Sequence, residues 1–255
     1  MIWAPGIDDG YVPQGVAWSG GAIFLSGYRS NDPKIDRGPC RIFKVDPENG
    51  GTLGQFDLPE DCGHAGGLVH VGKGILIASD TRRLYRIDSA AAFPPGNSSN
   101  AVTATVALRG EVKGSFIAFD GALFAGSFER EATKAKGHFL PLSVFETHNG
   151  KTVDESAAIR SISLPQEAQG AAFDKAGNLW IAASSSRYGL LYRVDGKTGQ
   201  VATRSEMVVG IEGIAFDDED RLWSVSEAGS LRWRRWSKTF PVLFRVDLHK
   251  LKESR

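Results

Sequence analysis

One phrase recurs five times in this chain of 255 residues. A Gly is followed by two small or apolar residues and an aromatic side chain, then a turn, then a short apolar strand ending in Ser. The copies read QGVAWSGGAIFLSG from Gln14, GGLVHVGKGILIAS from Gly66, GSFIAFDGALFAGS from Gly114, QGAAFDKAGNLWIAAS from Gln169 and EGIAFDDEDRLWSVS from Glu212. A second signature follows each: CRIFKVDPENG, RLYRIDS, LSVFETHNG, LLYRVDGKTG and LFRVDL. Spacings of roughly 42 to 55 residues between copies suit a β-propeller blade better than any stacked helical repeat.

Within one copy the strands follow from alternation and turn residues. In the fourth, AAF is an inner strand, DKAGN a turn, LWIAAS a second strand, LLYRVD a third, GKTG a hairpin turn and QVATRSEM a fourth. Gly in the inner strand is expected because blades crowd near the axis and only a residue without Cβ lets backbones approach. The fifth copy stops at FRVDLHKL without a fourth strand, while the chain begins with the strand-like IWAPG. The expected fold is therefore all-β, a single-domain five-bladed propeller of four-stranded blades. The blades fall near 12–62, 63–110, 111–165, 166–209 and 210–248, with residues 2–4 closing the last one and burying Trp3. Closure of that kind removes exposed sheet edges.

Composition agrees. Apolar residues make up 42% with 30 Gly and 14 Phe, which suits many short strands and tight turns, and no window nears the roughly 18 apolar residues of a membrane helix. Thirty basic residues balance thirty acidic ones, so nucleic acid is not expected as a partner. A small molecule on the axial face of a monomer is the expected partner. No basic and apolar leader precedes Ile2, and Met1 is read as an added start on a mature domain. Cys40 and Cys62, the two cysteines, fall at one end of a predicted hairpin, where a disulfide competes with two unpaired thiols. A disulfide implies a periplasmic or secreted protein, free thiols leave a cytoplasmic one open.

In a propeller the segments entering the inner strands share one face. Here they place Gln14, His64, Lys113, Gln169 and Glu212 toward the axis, which is the leading candidate for a ligand pocket. Each has a structural alternative: an ordered water or backbone amide for the two Gln, a satisfied core His for His64, and neutralisation of Glu111 or Glu212 by Lys113. The loops after the second strands add Arg29, Arg187, Arg232 and Arg234 as a basic rim, although single loop arginines are usually only solvated. The segment LRWRRWSKTF interleaves basic residues with Trp233 and Trp236, a pattern that suits a stacking platform or tryptophans packed on the propeller rim. Glu212 and His64 are the candidate acid/base groups and metal ligands. G-x-S-x-G, H-E-x-x-H, C-x-x-C and a twelve-residue calcium loop are all absent, and the Gly-Lys-Thr at 196–198 lacks the first glycine of a phosphate loop. Asn97-Ser-Ser fits a glycosylation acceptor.

The blade phrase G-[IVA]-A-F-D-x-x-G-x-L-W with LYRVD-x-x-T-G resembles the senescence-marker-protein/gluconolactonase family, strictosidine-synthase-like proteins and NHL repeats, and is similar to uncharacterised bacterial secreted propellers. The resemblance covers most of the chain. It implies a divalent metal (Ca, Mg, Mn or Zn) on the axis, held by Glu, Asn and Asp, and hydrolysis of lactones or esters. Glu212 stands at a matching acidic position, whereas Gln14, Gly66, Gly114 and Gln169 stand in the other blades. Two functions from different classes follow. One is metal-assisted hydrolysis of a small, anionic or sugar-derived lactone or ester; the other is non-catalytic binding of a carbohydrate, peptide or protein through the Arg and Trp loops.

Overall fold

A computed structural model describes residues 1–93 and 100–251, and 253–254 as backbone; Asn97 lies outside the described residues. Five antiparallel sheets form the five blades of a propeller, with the first strand of each innermost. Blade 1 runs Tyr11–Ser19, Ala22–Arg29, Cys40–Val45 and Thr52–Asp57. Blade 2 comprises Gly67–His70, Ile75–Asp80, Arg83–Asp88 and Val102–Leu108. Blade 3 is built from Phe116–Phe119, Ala122–Gly126, Lys136–Pro141 and Arg160–Ser163, and blade 4 from Ala168–Phe173, Leu179–Ser184, Gly189–Val194 and Val201–Met207. Blade 5 supplies Ile211–Phe216, Leu222–Ser226 and Val242–Val246. Its fourth strand is Ile2–Trp3 from the other end of the chain, pairing Ile2 with Leu243 and Trp3 with Val242.

That closure holds through Ile2 and Ala4, both buried, and not through Trp3, which is 57% exposed. Successive strand side chains face opposite sides, so a strand that buries Ile2 must turn Trp3 outward. Its indole Nε1 donates to Asp8 at 3.0 Å. Two short strands thicken other blades: Thr152–Val153 adds to the outer edge of blade 2 in parallel, and Glu253–Ser254 to blade 4.

The hydrophobic core lies between blades as five wedges. Blades 5 and 1 meet through Ile23, Leu25, Phe43, Val225 and Leu243, and blades 3 and 4 through Phe124, Phe139, Leu164 and Ile181. Trp18 stacks on Trp223 across one wedge, centroids 6.4 Å apart, a contact that contributes about 1 kcal/mol beyond its burial. The LSVFETHNG signature is not a third strand. Val144–Thr147 coils into one helical turn that buries Val144 and Phe145, and Lys136–Pro141 takes the strand position.

Backbones touch around the axis where glycine permits it. A Cβ on Gly213 would lie 2.5 Å from the Val16 N and 2.6 Å from the Gln14 O, and one on Gly67 would lie 2.5 Å from the Ile117 N. Blade 3 departs from the pattern, since Phe116 holds the register position of these glycines. Its ring is accommodated over Gly126 of the adjacent strand, where a Cβ would come within 2.1 Å of it. The contacting inner strands form a septum that divides the axial channel into two mouths.

The Cys40–Cys62 pair is a disulfide, with Cα atoms 5.9 Å apart. Cys40 opens the third strand of blade 1 and Cys62 follows its fourth, which sets them side by side at one end of the hairpin.

Candidate functional site at the upper mouth

Three inner strands carry a one-residue irregularity at the same place. The register of blade 1 shifts between Pro13 and Val16, of blade 4 between Ala168 and Gly170, and of blade 5 between Ile211 and Ile214. A bulge of this kind re-aims a side chain out of the ladder. The re-aimed residues are Gln14, Gln169 and Glu212, and all three reach one cluster at the upper mouth.

Glu212 is 1% exposed and accepts a hydrogen bond from Gln169 Nε2 at 2.9 Å. Glu227, also buried, accepts from Gln14 Nε2 at 3.3 Å and Trp233 Nε1 at 2.6 Å. The two carboxyls hydrogen-bond to each other, Glu212 donating to Glu227. Burial first, and the neighbouring Glu227 charge second, hold the Glu212 carboxyl well above the usual carboxylate range. Burial pushes Glu227 up to about 7, against the N–H groups of Trp233 and Gln14 and the charge of Arg232, which favour its ionised form. Buried carboxyls that bond to each other resist ionising together, so Glu212 holds its proton at neutral pH while Glu227 titrates at about 7.

The segment after the last strand of the blade phrase fixes Glu227. Its amide donates to the Gly210 carbonyl at 2.9 Å, and Ser226 Oγ donates to the Val209 carbonyl at 2.8 Å. The chain then turns through Leu231–Trp233, which brings Arg232 inward. Arg232 therefore leaves the rim it was expected to join: it is 7% exposed. Its Nη1 donates to the Tyr28 hydroxyl, Nη2 donates to the Pro33 carbonyl at 3.3 Å, and its guanidinium lies 4.3 Å from the Trp233 ring. Nε of Arg232 is buried without a protein partner. Trp233 stacks on the half-buried Trp236 at 5.0 Å.

His64 joins this network only at its edge. Its ring stacks on Tyr28 at 4.4 Å, and Nδ1–H donates to the Asp36 carbonyl at 2.8 Å. Burial lowers its pKa, so the ring is neutral at pH 7. Lys113 pairs with Glu129, not with Glu111 or Glu212, while Glu111 pairs with Lys136. Arg29, Arg187 and Arg234 are exposed. The site thus joins Gln14, Gln169, Glu212 and Trp233 directly, His64 through Tyr28 and Arg232, and leaves Lys113 and the three rim arginines outside the cluster.

Glu227 and Tyr28 complete the site, and neither lies in the approach segments. The available signal was an acid directly after the closing Ser of the phrase, present as Glu227 and in blade 2 as Asp80. As arranged, these donors do not fit a divalent ion. The two carboxyls lie beside the Arg232 guanidinium, Nδ1 of His64 is bonded elsewhere, and among the described residues no three His, Cys, Asp or Glu side chains converge.

The fold and this mouth define the chain as a five-bladed β-propeller with a buried carboxyl pair on its axis. No protein-family model and no curated protein matches its sequence. Among solved structures, it is similar to a protein of unknown function from Bacteroides caccae, at 11% identity over 85% of this chain and 71% of that one, with a TM-score of 0.51. A PQQ-bound aldose sugar dehydrogenase from Streptomyces coelicolor aligns at 18% identity, over 93% and 77% of the chains, with a TM-score of 0.49. A gluconolactonase-family protein aligns at 15% identity over 85% and 72%, with a TM-score of 0.41. At these identities the likeness is one of fold. The disulfide is compatible with a periplasmic or secreted protein, and no described helix is long and apolar enough to cross a membrane.

Proposed function

We propose that the upper mouth binds and hydrolyses a small, sugar-derived or anionic lactone or ester by acid–base chemistry. The observation that carries this reading is the buried Glu212–Glu227 pair, held by Gln169, Gln14 and Trp233. Burying two like-charged groups costs stability, and such pairs with separated protonation states suit a base beside an acid. Glu227, in its ionised form, takes a proton from a water as that water's oxygen attacks the acyl carbon. The oxyanion that forms faces the Arg232 charge. As the bond from carbon to the leaving oxygen breaks, Glu212 gives that oxygen its proton, and transfer from Glu227 to Glu212 along their hydrogen bond restores the pair. No step runs through a metal. Stacked Trp233 and Trp236 offer the apolar surface on which a sugar ring packs.

The test is turnover of a lactone and aryl-ester panel in the presence of EDTA. Glu227→Gln and Glu212→Gln each keep shape, and each should lower kcat by about 100-fold or more while leaving the fold intact. Chelator-sensitive turnover restored by a divalent ion would replace this mechanism with a metal-assisted one. The second reading, binding without catalysis, is favoured by the exposed Arg234, Arg235 and Lys238 beside the stacked tryptophans. Absence of turnover across the panel, with binding lost on substitution of that loop, would put it first.

A further inference from the structure

The lower mouth is of different construction. A hollow of about 140 Å³ opens on the axis beyond the septum, walled by small apolar residues of the inner strands. Each blade contributes one ring to it: Trp18, His70, Phe119, Phe173 and Phe216. An apolar cavity of about 150 Å³ admits benzene, which bounds the guest to a handful of heavy atoms.

Rings alone would accept any apolar guest, and three further features select a cation. The turns leaving the inner strands, at 19–21, 71–74, 120–121, 174–178 and 217–221, carry six acidic and three basic residues. Asp120 and Asp218 are exposed there, and Asp218 acts electrostatically on His70. Burial keeps His70 neutral at pH 7, so the wall adds no positive charge. Each inner strand pairs on one side only, so its free edge presents C=O as well as N–H groups toward the axis, and the carbonyls can face a cation.

We infer that the lower mouth is a binding site for a small organic ammonium compound of the size of choline. The cationic head sits among the five rings, where desolvated cation–π attraction is strongest. This site is independent of the chemistry at the upper mouth.

Calorimetric titration of the full chain with choline and with its uncharged isostere 3,3-dimethylbutan-1-ol tests it. Choline should bind saturably, and the isostere about tenfold more weakly or worse. His70→Lys places a fixed positive charge on the wall and should abolish choline binding. Asp218→Asn, at an exposed position, should weaken it severalfold with the melting temperature unchanged. Equal affinities for the two compounds, no saturable binding of choline at millimolar concentration, or full affinity in Asp218→Asn would overturn the inference. If His70→Lys does not fold, the isostere comparison and Asp218→Asn decide alone.

Discussion

The two mouths of this propeller are built from the same repeat and differ in almost every physical respect. The upper one gathers the residues just before the axial position: Gln14, Gln169 and Glu212, set by bulges and completed by Glu227 and Arg232. The lower one gathers the residues three places after it, which are rings in every blade. Blades 1, 4 and 5 interrupt their ladders to build the polar mouth, whereas blades 2 and 3 run in regular register. The lower mouth needs no interruption, because the ring that each strand carries in register already borders the axial hollow. Polarity on the axis therefore comes from departures from the repeat, and apolar shape comes from the repeat itself.

The septum that separates the mouths gives the largest expected effect. A Cβ on Gly213 would stand 2.5–2.7 Å from the backbone of Gln14, Gly15 and Val16. Backbone cannot yield as a flexible side chain does, so Gly213→Ala should cost at least about 3 kcal/mol in urea unfolding. Gly121, at φ +74° with nothing within 4 Å of a Cβ, is the control: its change to Ala should cost only about 1 kcal/mol of backbone strain. Equal losses at both positions would mean that the axial contacts do not limit the fold.

The disulfide belongs to the upper mouth alone. Cys40 pairs in register with Tyr28, and Cys62 lies two residues before His64, so the bridge ties down the Tyr28–His64 stack. With a sequence separation of 22, Cys40→Ser with Cys62→Ser should lower stability by about 3 kcal/mol. Ligand binding at the upper mouth should weaken with it and choline binding at the lower mouth should not, which titration of both in the double variant would check.

Much of this contrast is readable in the sequence, and the unread part has physical causes. The period identifies the blades because each must present its Gly and its aromatic at a fixed depth. Ile2–Trp3 is readable as the closing strand, but a two-residue strand gives no alternation from which to tell that Ile2 faces in and Trp3 out. Aligning the third copy on Gly114 misplaces its register; aligning on Phe119 puts Phe116 at the axis. The bulges leave a faint trace in the Gln or Glu before the axial Gly of blades 1, 4 and 5, which blades 2 and 3 lack. Glu227 and Arg232 sit in a loop whose inward turn depends on contacts far away in the chain, such as Arg232 with Tyr28 and Pro33. Local pattern carries no record of these.

The carboxyl pair and the buried histidines should also respond to pH with opposite signs. Glu227 is raised from its model-compound value of 4.5 to about 7, and Glu212 is raised as well, so the folded chain holds more protons than the unfolded one above pH 4.5. Stability from the pair is present at acid pH and falls as pH climbs through that window. His70 is lowered, as are His64 and His138, and their contribution runs the other way, lost as pH falls below about 6.5. Comparing variants isolates each: Glu212→Gln should be about 2 kcal/mol more stable than the parent at pH 8, with the difference gone near pH 5. A difference constant with pH would show that the pair's pKa values are not raised.

The smallest expected effect is the sharpest test of independence. Along one inner strand, Glu212 and Phe216 are four residues apart, about 13 Å at the usual rise, with the septum between. Groups that far apart without shared partners add within about 0.5 kcal/mol. A double-mutant cycle of Glu212→Gln with Asp218→Asn, read as stability in urea at fixed pH, should therefore close to within that margin. Both positions lie on blade 5, Glu212 buried and Asp218 exposed, and Asp218→Asn alone should leave stability near the parent's, so the cycle reduces to whether it alters the Glu212→Gln effect. A coupling above about 1 kcal/mol would mean that the axial backbone moves when either mouth changes charge. The two mouths would then be one site read from both ends, and the septum a hinge instead of a wall.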